Sequence, residues 1–161
     1  MPASNAETSK SLKVVEQELV ITRIFNAPRE LVFDAWTKAE HLKHWQGAPR
    51  GFTVTTEESD IRVGGGFRIC MRSAAGVDHW LQGFYREIVR PERLVFTHAW
   101  FDASGKPTRE TLVTVTFVAR GNRTEMTLRQ SGFGSVESRD GHKMGWMSAL
   151  EVLDEYLARL S

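Results

Sequence analysis

The chain has 161 residues, a length that suits one domain with its own core. Its 21 Lys and Arg residues nearly balance its 20 Asp and Glu residues. Both signs are scattered along the chain, so neither nucleic acid nor an anionic membrane is an expected partner. One cysteine, Cys70, excludes an intrachain disulfide. We read neither a signal peptide nor a membrane span, and we expect a cytoplasmic protein.

The first part of the chain is polar and then alternating. Residues 1–11 are small and polar, which predicts a disordered N-terminal tail, with a single domain over residues 12–161. Residues 14–25 alternate between apolar and polar side chains. This pattern predicts the first strand.

Two short helices are predicted next. Pro28 stands where a first helical turn tolerates proline, and Leu31, Val32, Ala35 and Trp36 form a short apolar stripe. A second short helix is predicted over residues 39–45.

The middle of the chain has a period of two. Turn-forming residues separate most of its alternating segments, in which one side is apolar and the other polar. This pattern is typical of an antiparallel meander with one solvated face. Six strands are predicted, over residues 52–60, 64–73, 78–89, 93–101, 109–119 and 123–131.

A long helix is predicted over residues 141–160. Its apolar residues recur at steps of four and three, which places them on one stripe: Trp146, Leu150, Leu153, Leu157 and Leu160. The apolar face of the sheet and this stripe must bury each other. We therefore predict an α+β fold: a curved seven-stranded antiparallel sheet wrapped around a long C-terminal helix, with two short helices after the first strand.

Several short motifs, in this order, resemble the START-like (SRPBCC) superfamily with its helix-grip fold. The motifs are residues 23–28 running into 31–37, Trp45, residues 60–68, 83–88 and 91–97, and Gly145-Trp146. Within the superfamily, the chain resembles most the homologues of the heat-shock-protein-90 ATPase activator, over about residues 19–160. It departs from that branch in having His44-Trp45 where a double Trp is usual at the end of the second helix.

The resemblance implies a cavity between sheet and helix that accepts a small apolar ligand. It does not imply one activity, since members include lipid carriers, hormone receptors, aromatic cyclases and chaperone regulators. This branch offers no defined catalytic motif to transfer.

The expected cavity wall combines aromatic and aliphatic residues with two polar ones. The candidate ligand-binding residues are Trp45, Phe67, Ile69, Met71, Trp80, Phe84, Phe96, His98, Trp100, Val113, Val115, Met126, Gln130, Trp146 and Leu150. The sequence does not fix which face of the strands 78–89 and 93–101 lines the cavity. His98 alternates in phase with Phe96 and Trp100, so it is either a core histidine with one hydrogen bond or a polar anchor or base that faces a ligand.

Other motifs have simpler interpretations. Gly64-Gly65-Gly66 follows a strand and precedes no phosphate-binding helix, which favours a tight turn. His41 and His44 lie three apart on a short helix without a third ligand nearby, so neither a metal nor a cofactor is predicted. Cys70 is expected on the solvated face, and residues 131–135 in a loop before the last helix.

The favoured function is binding of a small hydrophobic or aromatic molecule without defined catalysis. The first alternative is a chaperone-interaction module, which predicts an exposed patch instead of a large pocket. The second is a cyclase-like or hydrolase-like enzyme, which needs polar groups converging in the cavity. The sequence leaves both a monomer and a homodimer open.

Overall fold

The computed structural model describes residues 18–45 and 48–160. The predicted tail, residues 1–11, lies outside this part of the chain. The strands are β1 (Leu19–Phe25), β2 (Thr53–Ser59), β3 (Gly66–Arg72), β4 (Asp78–Val89), β5 (Arg93–Trp100), β6 (Thr111–Arg120) and β7 (Arg123–Ser131), and the helices are α1 (Arg29–Thr37), α2 (Ala39–Leu42) and α3 (Val136–Leu160). The predicted α+β architecture is confirmed. No described helix is both long and apolar enough to cross a membrane.

All seven strands form one antiparallel sheet in the order β1-β7-β6-β5-β4-β3-β2. The chain meanders from β2 to β7, and β1 pairs with β7 at the far edge. The pairing shifts register between Val54 and Thr56 in β2 and between Tyr85 and Glu87 in β4. Such bulges bend the strand and increase its twist, which helps the sheet to curve.

The C-terminal half of α3 fills the concave face of the sheet. Ala149, Leu150 and Leu153 are fully buried. They belong to the main core, which also includes the inward side chains Val113, Val115, Met126 and Leu128 of β6 and β7 and the buried face of α1. Removal of this much apolar surface from water provides the principal stabilisation of the fold.

A second, smaller apolar cluster lies at the other end of the sheet. It contains Ala48, Ile69, Met71 and Leu81, with Trp100 packed against it. The core is therefore divided into two clusters.

The long helix begins at Val136, five residues before the predicted start. The Ser138 backbone N–H donates to the Ser135 hydroxyl oxygen at 3.1 Å, the hydrogen bond of an N-cap. The predicted loop over residues 131–135 therefore ends directly at the first turn of α3.

Cys70 was expected on the solvated face of the sheet, but it is buried. Its position in β3 does point away from α3, but the side chain is buried, with Thr56 and Trp80 opposite it on the neighbouring strands. The glycine run before β3 serves a turn: Gly64 has a φ of 86°, and a Cβ on Gly65 would lie 2.2 Å from the Asp60 carbonyl oxygen.

Candidate functional site

A cavity of about 590 Å³ lies between the N-terminal half of α3 and strands β2 to β5. Both apolar clusters contribute to its wall: Trp36, Phe96 and Trp146 come from the main core, whereas Met71 and Leu81 come from the smaller cluster. The cavity thus occupies the part of the concave face that α3 does not fill.

The sheet side of the wall follows the inward positions of three strands. These are Phe67, Ile69 and Met71 of β3, Leu81 and Tyr85 of β4, and Leu94, Phe96, His98 and Trp100 of β5. Gly83 lies between Leu81 and Tyr85, directly opposite Phe67. A Cβ at Gly83 would be 2.4 Å from the Phe67 ring, so the missing side chain allows this ring to lie across β4.

Three tryptophans close the helical side of the cavity. The Trp36 ring centroid lies 4.8 Å from that of Trp45 and 5.7 Å from that of Trp146. The Trp45 indole nitrogen donates to the Ala35 carbonyl oxygen at 2.8 Å, which fixes this ring on the end of α1. The Trp36 indole nitrogen is enclosed and has no hydrogen-bond partner among the described residues.

Small residues of α3 face the cavity. Ser138, Gly141, Gly145 and Ser148 line it, and a Cβ on Gly141 would meet no atom within 4 Å. Met144 also contributes to the wall although it is 74% exposed, which places it at the rim. The helix therefore leaves space where larger side chains would fill it.

A buried polar network backs the cavity. The Trp146 indole nitrogen donates to Gln130 Oε1 at 2.8 Å, and Gln130 Nε2 donates to Thr111 Oγ1 at 2.8 Å. Gln130 Nε2 also lies 3.4 Å from His98 Nδ1, and the Thr111 hydroxyl donates to the His98 carbonyl oxygen at 2.9 Å. These contacts connect α3 to β5, β6 and β7.

A second polar connection joins β5 to the first turns of α3. Trp100 donates from its indole nitrogen to His142 Nε2 at 3.0 Å, and His142 Nδ1 lies 2.7 Å from the Ser138 carbonyl oxygen. A side cavity of about 250 Å³ lies behind this connection, beside Arg109 and Phe133. His98, Trp100, Ser138 and His142 line both cavities.

The two most perturbed ionisable groups of the wall are uncharged at neutral pH. Burial, with a smaller contribution from the neighbouring His142, lowers the pKa of His98 to about 3. Burial, assisted by the Glu57 carboxylate, raises the pKa of the Tyr85 hydroxyl. A histidine with so low a pKa is a poor general base at pH 7.

The cavity brings together part of the candidate set. The lining includes Trp45, Phe67, Ile69, Met71, Phe96, His98, Trp100 and Trp146. Gln130 lies one layer behind the wall and reaches it through His98 and Trp146. Val113, Val115, Met126 and Leu150 are instead packed in the main core under the C-terminal half of α3.

Trp80 and Phe84 do not line the cavity. They occupy the outward positions of β4, where the Arg68 guanidinium lies 4.9 Å from the Trp80 ring and Phe84 is 47% exposed. Successive side chains of a strand point to opposite faces, so the inward positions belong to Leu81 and Tyr85.

Sequence reasoning missed Leu81, Tyr85, Leu94, Trp36 and His142 as wall residues. Gly83 carried a usable signal, because a glycine within a strand often marks a close approach by another group. Leu81 and Tyr85 then follow from the alternation along β4, and Leu94 follows from its shared phase with Phe96 and His98 in β5. The position of His142 one turn before Trp146 on the same helix face was a second signal.

His41 and His44 have a packing role. His41 Nδ1 lies 2.6 Å from the Tyr156 hydroxyl oxygen, and the His44 ring stacks on the Tyr156 ring at 4.9 Å. Within residues 18–45 and 48–160, no cluster of three or more His, Cys, Asp or Glu side chains is arranged to hold a metal ion.

Comparison with known families gives a match over most of the chain. Residues 26–158 match the family described as Activator of Hsp90 ATPase homolog 1-like protein. No curated protein shows a significant match to the chain.

Solved structures share the fold over nearly the whole domain. Protein CV1439 from Chromobacterium violaceum is 26% identical, with a TM-score of 0.79 over 88% of this chain and 97% of its own. The AHSA1 protein SPO3351 from Silicibacter pomeroyi is 23% identical, with a TM-score of 0.81 over 89% and 99%. A protein from Arthrobacter aurescens is 26% identical, with a TM-score of 0.76 over 92% and 90%.

Proposed function

The chain belongs to the Activator of Hsp90 ATPase homolog 1-like family, as its sequence motifs predicted, and from this premise we propose that it binds a small hydrophobic or aromatic molecule in the cavity under α3. The fold of this family commonly binds hydrophobic ligands. The function of an individual member depends on its own site, so the proposal is argued from the cavity.

The observation that carries the proposal is the size and chemistry of the cavity. Its volume of about 590 Å³ falls within the roughly 300–1,000 Å³ typical of small-molecule pockets. Its wall is dominated by aromatic and aliphatic side chains, with few polar groups. Burial of an apolar ligand there gains roughly 25 cal/mol per Å² before the costs of ordering are subtracted.

The two alternatives receive less support. A chaperone-interaction module was expected to have an external patch in place of a large pocket, whereas this chain has a large pocket. An enzyme needs converging polar groups, and His98 and His142 do approach each other, with ring centroids 5.6 Å apart. The low pKa of His98 and the bonding of both His142 nitrogens leave neither ring suited to proton transfer at neutral pH.

A neutral fluorescent probe tests the proposal directly. N-phenyl-1-naphthylamine emits strongly in apolar surroundings, so we expect saturable emission, quenching of tryptophan fluorescence and a rise in Tm. At a probe concentration 100 times Kd, the free energy of unfolding should increase by about 2.7 kcal/mol.

Two variants of α3 locate the binding. Gly141→Phe places a ring in the cavity and should weaken probe binding strongly. Met147→Phe adds a ring to the same helix at a half-exposed position outside the cavity wall, and should bind like the wild type. Absence of binding by the wild type, or equal binding by Gly141→Phe, would contradict the proposal.

A further inference from the structure

The donor and acceptor roles in the buried network are fixed by Trp146. An indole nitrogen can only donate, so the atom of Gln130 that faces it must be the carbonyl oxygen. The amide nitrogen of Gln130 therefore faces Thr111 and His98, as the distances of 2.8 and 3.4 Å show. An amide nitrogen also only donates, so His98 Nδ1 must accept.

This assignment determines the tautomer of His98. A neutral imidazole carries one proton, and with Nδ1 as acceptor the proton is on Nε2. His142 is assigned in the same way: Trp100 donates to its Nε2, so its Nδ1 carries the proton and donates to the Ser138 carbonyl oxygen. Both nitrogens of His142 are thus occupied.

The Nε2–H of His98 has no acceptor among the described residues. Among the described residues, the enclosed side-chain nitrogen and oxygen atoms without a hydrogen bond are Arg29 Nε and Trp36 Nε1. His98 Nε2 has no hydrogen-bond partner there either, but it is not fully enclosed, and His98 lines both the main cavity and the side cavity. A buried donor of this kind favours a ligand that brings an acceptor.

The charges of the wall restrict that acceptor further. The described wall of the main cavity contains no Lys or Arg, and its one carboxylate is Glu57, whereas Arg109 lines the side cavity. A buried anion would meet no cation among the described wall residues, and an unpaired buried charge is costly. A neutral oxygen has neither disadvantage.

We infer that the ligand is a neutral, largely apolar molecule with an acceptor oxygen, such as a ketone, ester, amide or ether, and that the Nε2–H of His98 binds this oxygen. The inference rests on the proposed function and adds the chemical class of the ligand. The Trp36 ring centroid lies 5.7 Å from that of Trp146, and its indole N–H is a second donor that lacks an acceptor among the described residues.

Four naphthalene probes that share one apolar body test this assignment. They are 2-acetylnaphthalene, which has a ketone; 2-ethylnaphthalene, which has no acceptor oxygen; 2-naphthoate, which is an anion; and 1-(2-naphthyl)ethylamine, which is a cation. We expect the wild type to bind the ketone about 3- to 10-fold more tightly than the hydrocarbon, the range for one net hydrogen bond. The anion should bind more weakly than the ketone because the described wall of the main cavity has no cation, and the cation because a desolvated ammonium group has no lone pair to accept from the Nε2–H of His98.

His98→Phe removes the donor while a ring remains in place. The ratio of ketone to hydrocarbon affinity should fall to near one in this variant. Infrared spectroscopy of the bound ketone supplies a second readout, because a hydrogen bond from His98 moves the carbonyl stretch to lower wavenumber in the wild type and not in His98→Phe.

Nitrogen NMR of the wild type makes the test independent of that variant's folding. The His98 ring should show the proton on Nε2, and the Nε2 signal should shift with the ketone and much less with the hydrocarbon. A proton on Nδ1, equal affinity for ketone and hydrocarbon, or tighter binding of the naphthoate or the amine would overturn the inference and leave the proposed function intact. Failure of all four probes to bind would overturn both.

Discussion

The Trp146 indole nitrogen and Gln130 Oε1 are joined by a buried hydrogen bond of 2.8 Å, which ties α3 to β7. Trp146 is 8% exposed and Gln130 is fully buried, so neither group can turn to water when the other is lost. This pair therefore controls both the stability of the fold and the wall of the cavity.

Gln130→Leu should reduce the free energy of unfolding by about 2–4 kcal/mol. Leucine leaves the Trp146 N–H and the Thr111 and His98 acceptors without their partner, and each unsatisfied buried group costs roughly 1–3 kcal/mol. Burial of the apolar leucine side chain, of similar volume, offsets part of this loss. Urea unfolding followed by circular dichroism measures the change.

Gln82→Leu provides the matched control. Gln82 lies half-buried on β4, at an outward position, so the same substitution should change stability by no more than about 0.5 kcal/mol. Equal effects at the two sites would show that the network contributes little.

Gly141→Ala should stabilise the protein by up to about 1 kcal/mol. Glycine lowers helix stability, and the new methyl group at Gly141 would meet no atom within 4 Å. The variant should also keep probe binding, with a smaller cavity. Thermal unfolding detects the gain as a higher Tm.

Gly83→Ala should destabilise the protein, because Gly83, unlike Gly141, has no space for a methyl group. Its Cβ would lie 2.0 Å from the Thr97 carbonyl oxygen and 2.4 Å from the Phe67 ring, so the backbone and the ring must both move. We expect a loss of about 1–3 kcal/mol, the usual cost of overpacking. A stable Gly83→Ala variant would mean that Phe67 is free to leave this position, and its probe affinity would then report the displaced ring.

Acidification should destabilise the protein through His98. Its pKa is about 3 in the folded state against an ordinary value of 6.5, so between these values the unfolded chain takes up a proton that the folded chain excludes. The contribution of His98 to the free energy of unfolding is complete above pH 6.5. It falls as the pH drops toward 3, by at most about 1.4 kcal/mol per pH unit. Urea unfolding at pH 7.5, 6 and 5 measures the slope.

His98→Gln removes the titrating group and keeps polar atoms in the network. The pH slope below 6.5 should be smaller in this variant than in the wild type. Parallel pH profiles would indicate that other groups cause the acid sensitivity.

Asp34 should also make the stability of the protein depend on pH, but at more acidic pH than the onset of the His98 effect. The Arg90 guanidinium donates to both oxygens of this buried carboxylate, at 2.9 and 3.0 Å, and thereby holds the pKa of Asp34 below its usual range. Its stabilisation is present above pH 3.8 and is lost as the pH falls through the lower folded value. Asp34→Asn should lower Tm at pH 7, and the difference from the wild type should narrow near pH 3.

Asp60→Asn is the exposed counterpart. Asp60 pairs with Arg62 at 2.8 Å, but both side chains are more than half exposed, and such pairs contribute little. A Tm loss as large as that of Asp34→Asn would show that burial does not determine how much an ion pair stabilises this protein.

The periodicity of the sequence was sufficient to predict the fold. Alternating segments gave the strands, and the stripe from Trp146 to Leu157 gave the helix that the sheet covers. The predicted start of α3 was five residues too late. Gly141 and Gly145 have low helix propensity and indicated a helix end, whereas the hydroxyl of Ser135 caps the first turn. A local hydrogen bond outweighed the low helix propensity of two glycines.

The site was less accessible to sequence reasoning because its wall depends on register and tertiary packing. In β4, a choice between odd and even positions separates Leu81 and Tyr85 from Trp80 and Phe84, and no local signal other than Gly83 decides it. Trp36 belongs to an apolar stripe like that of any buried helix. Only the packing of α1 against Trp146 places it beside the cavity.

The unequal burial along α3 divides the helix into two parts with different opening free energies. From Ala149 to Leu157 it carries most of its buried residues, whereas before that point only Trp146 is buried. Local opening of the first turns exposes little core, so their amides should exchange with solvent faster than those of the last turns. A ligand held beneath these turns would slow that exchange. The rate at which molecules enter and leave can thus be set by the fraying of half a helix, while the other half keeps the domain folded.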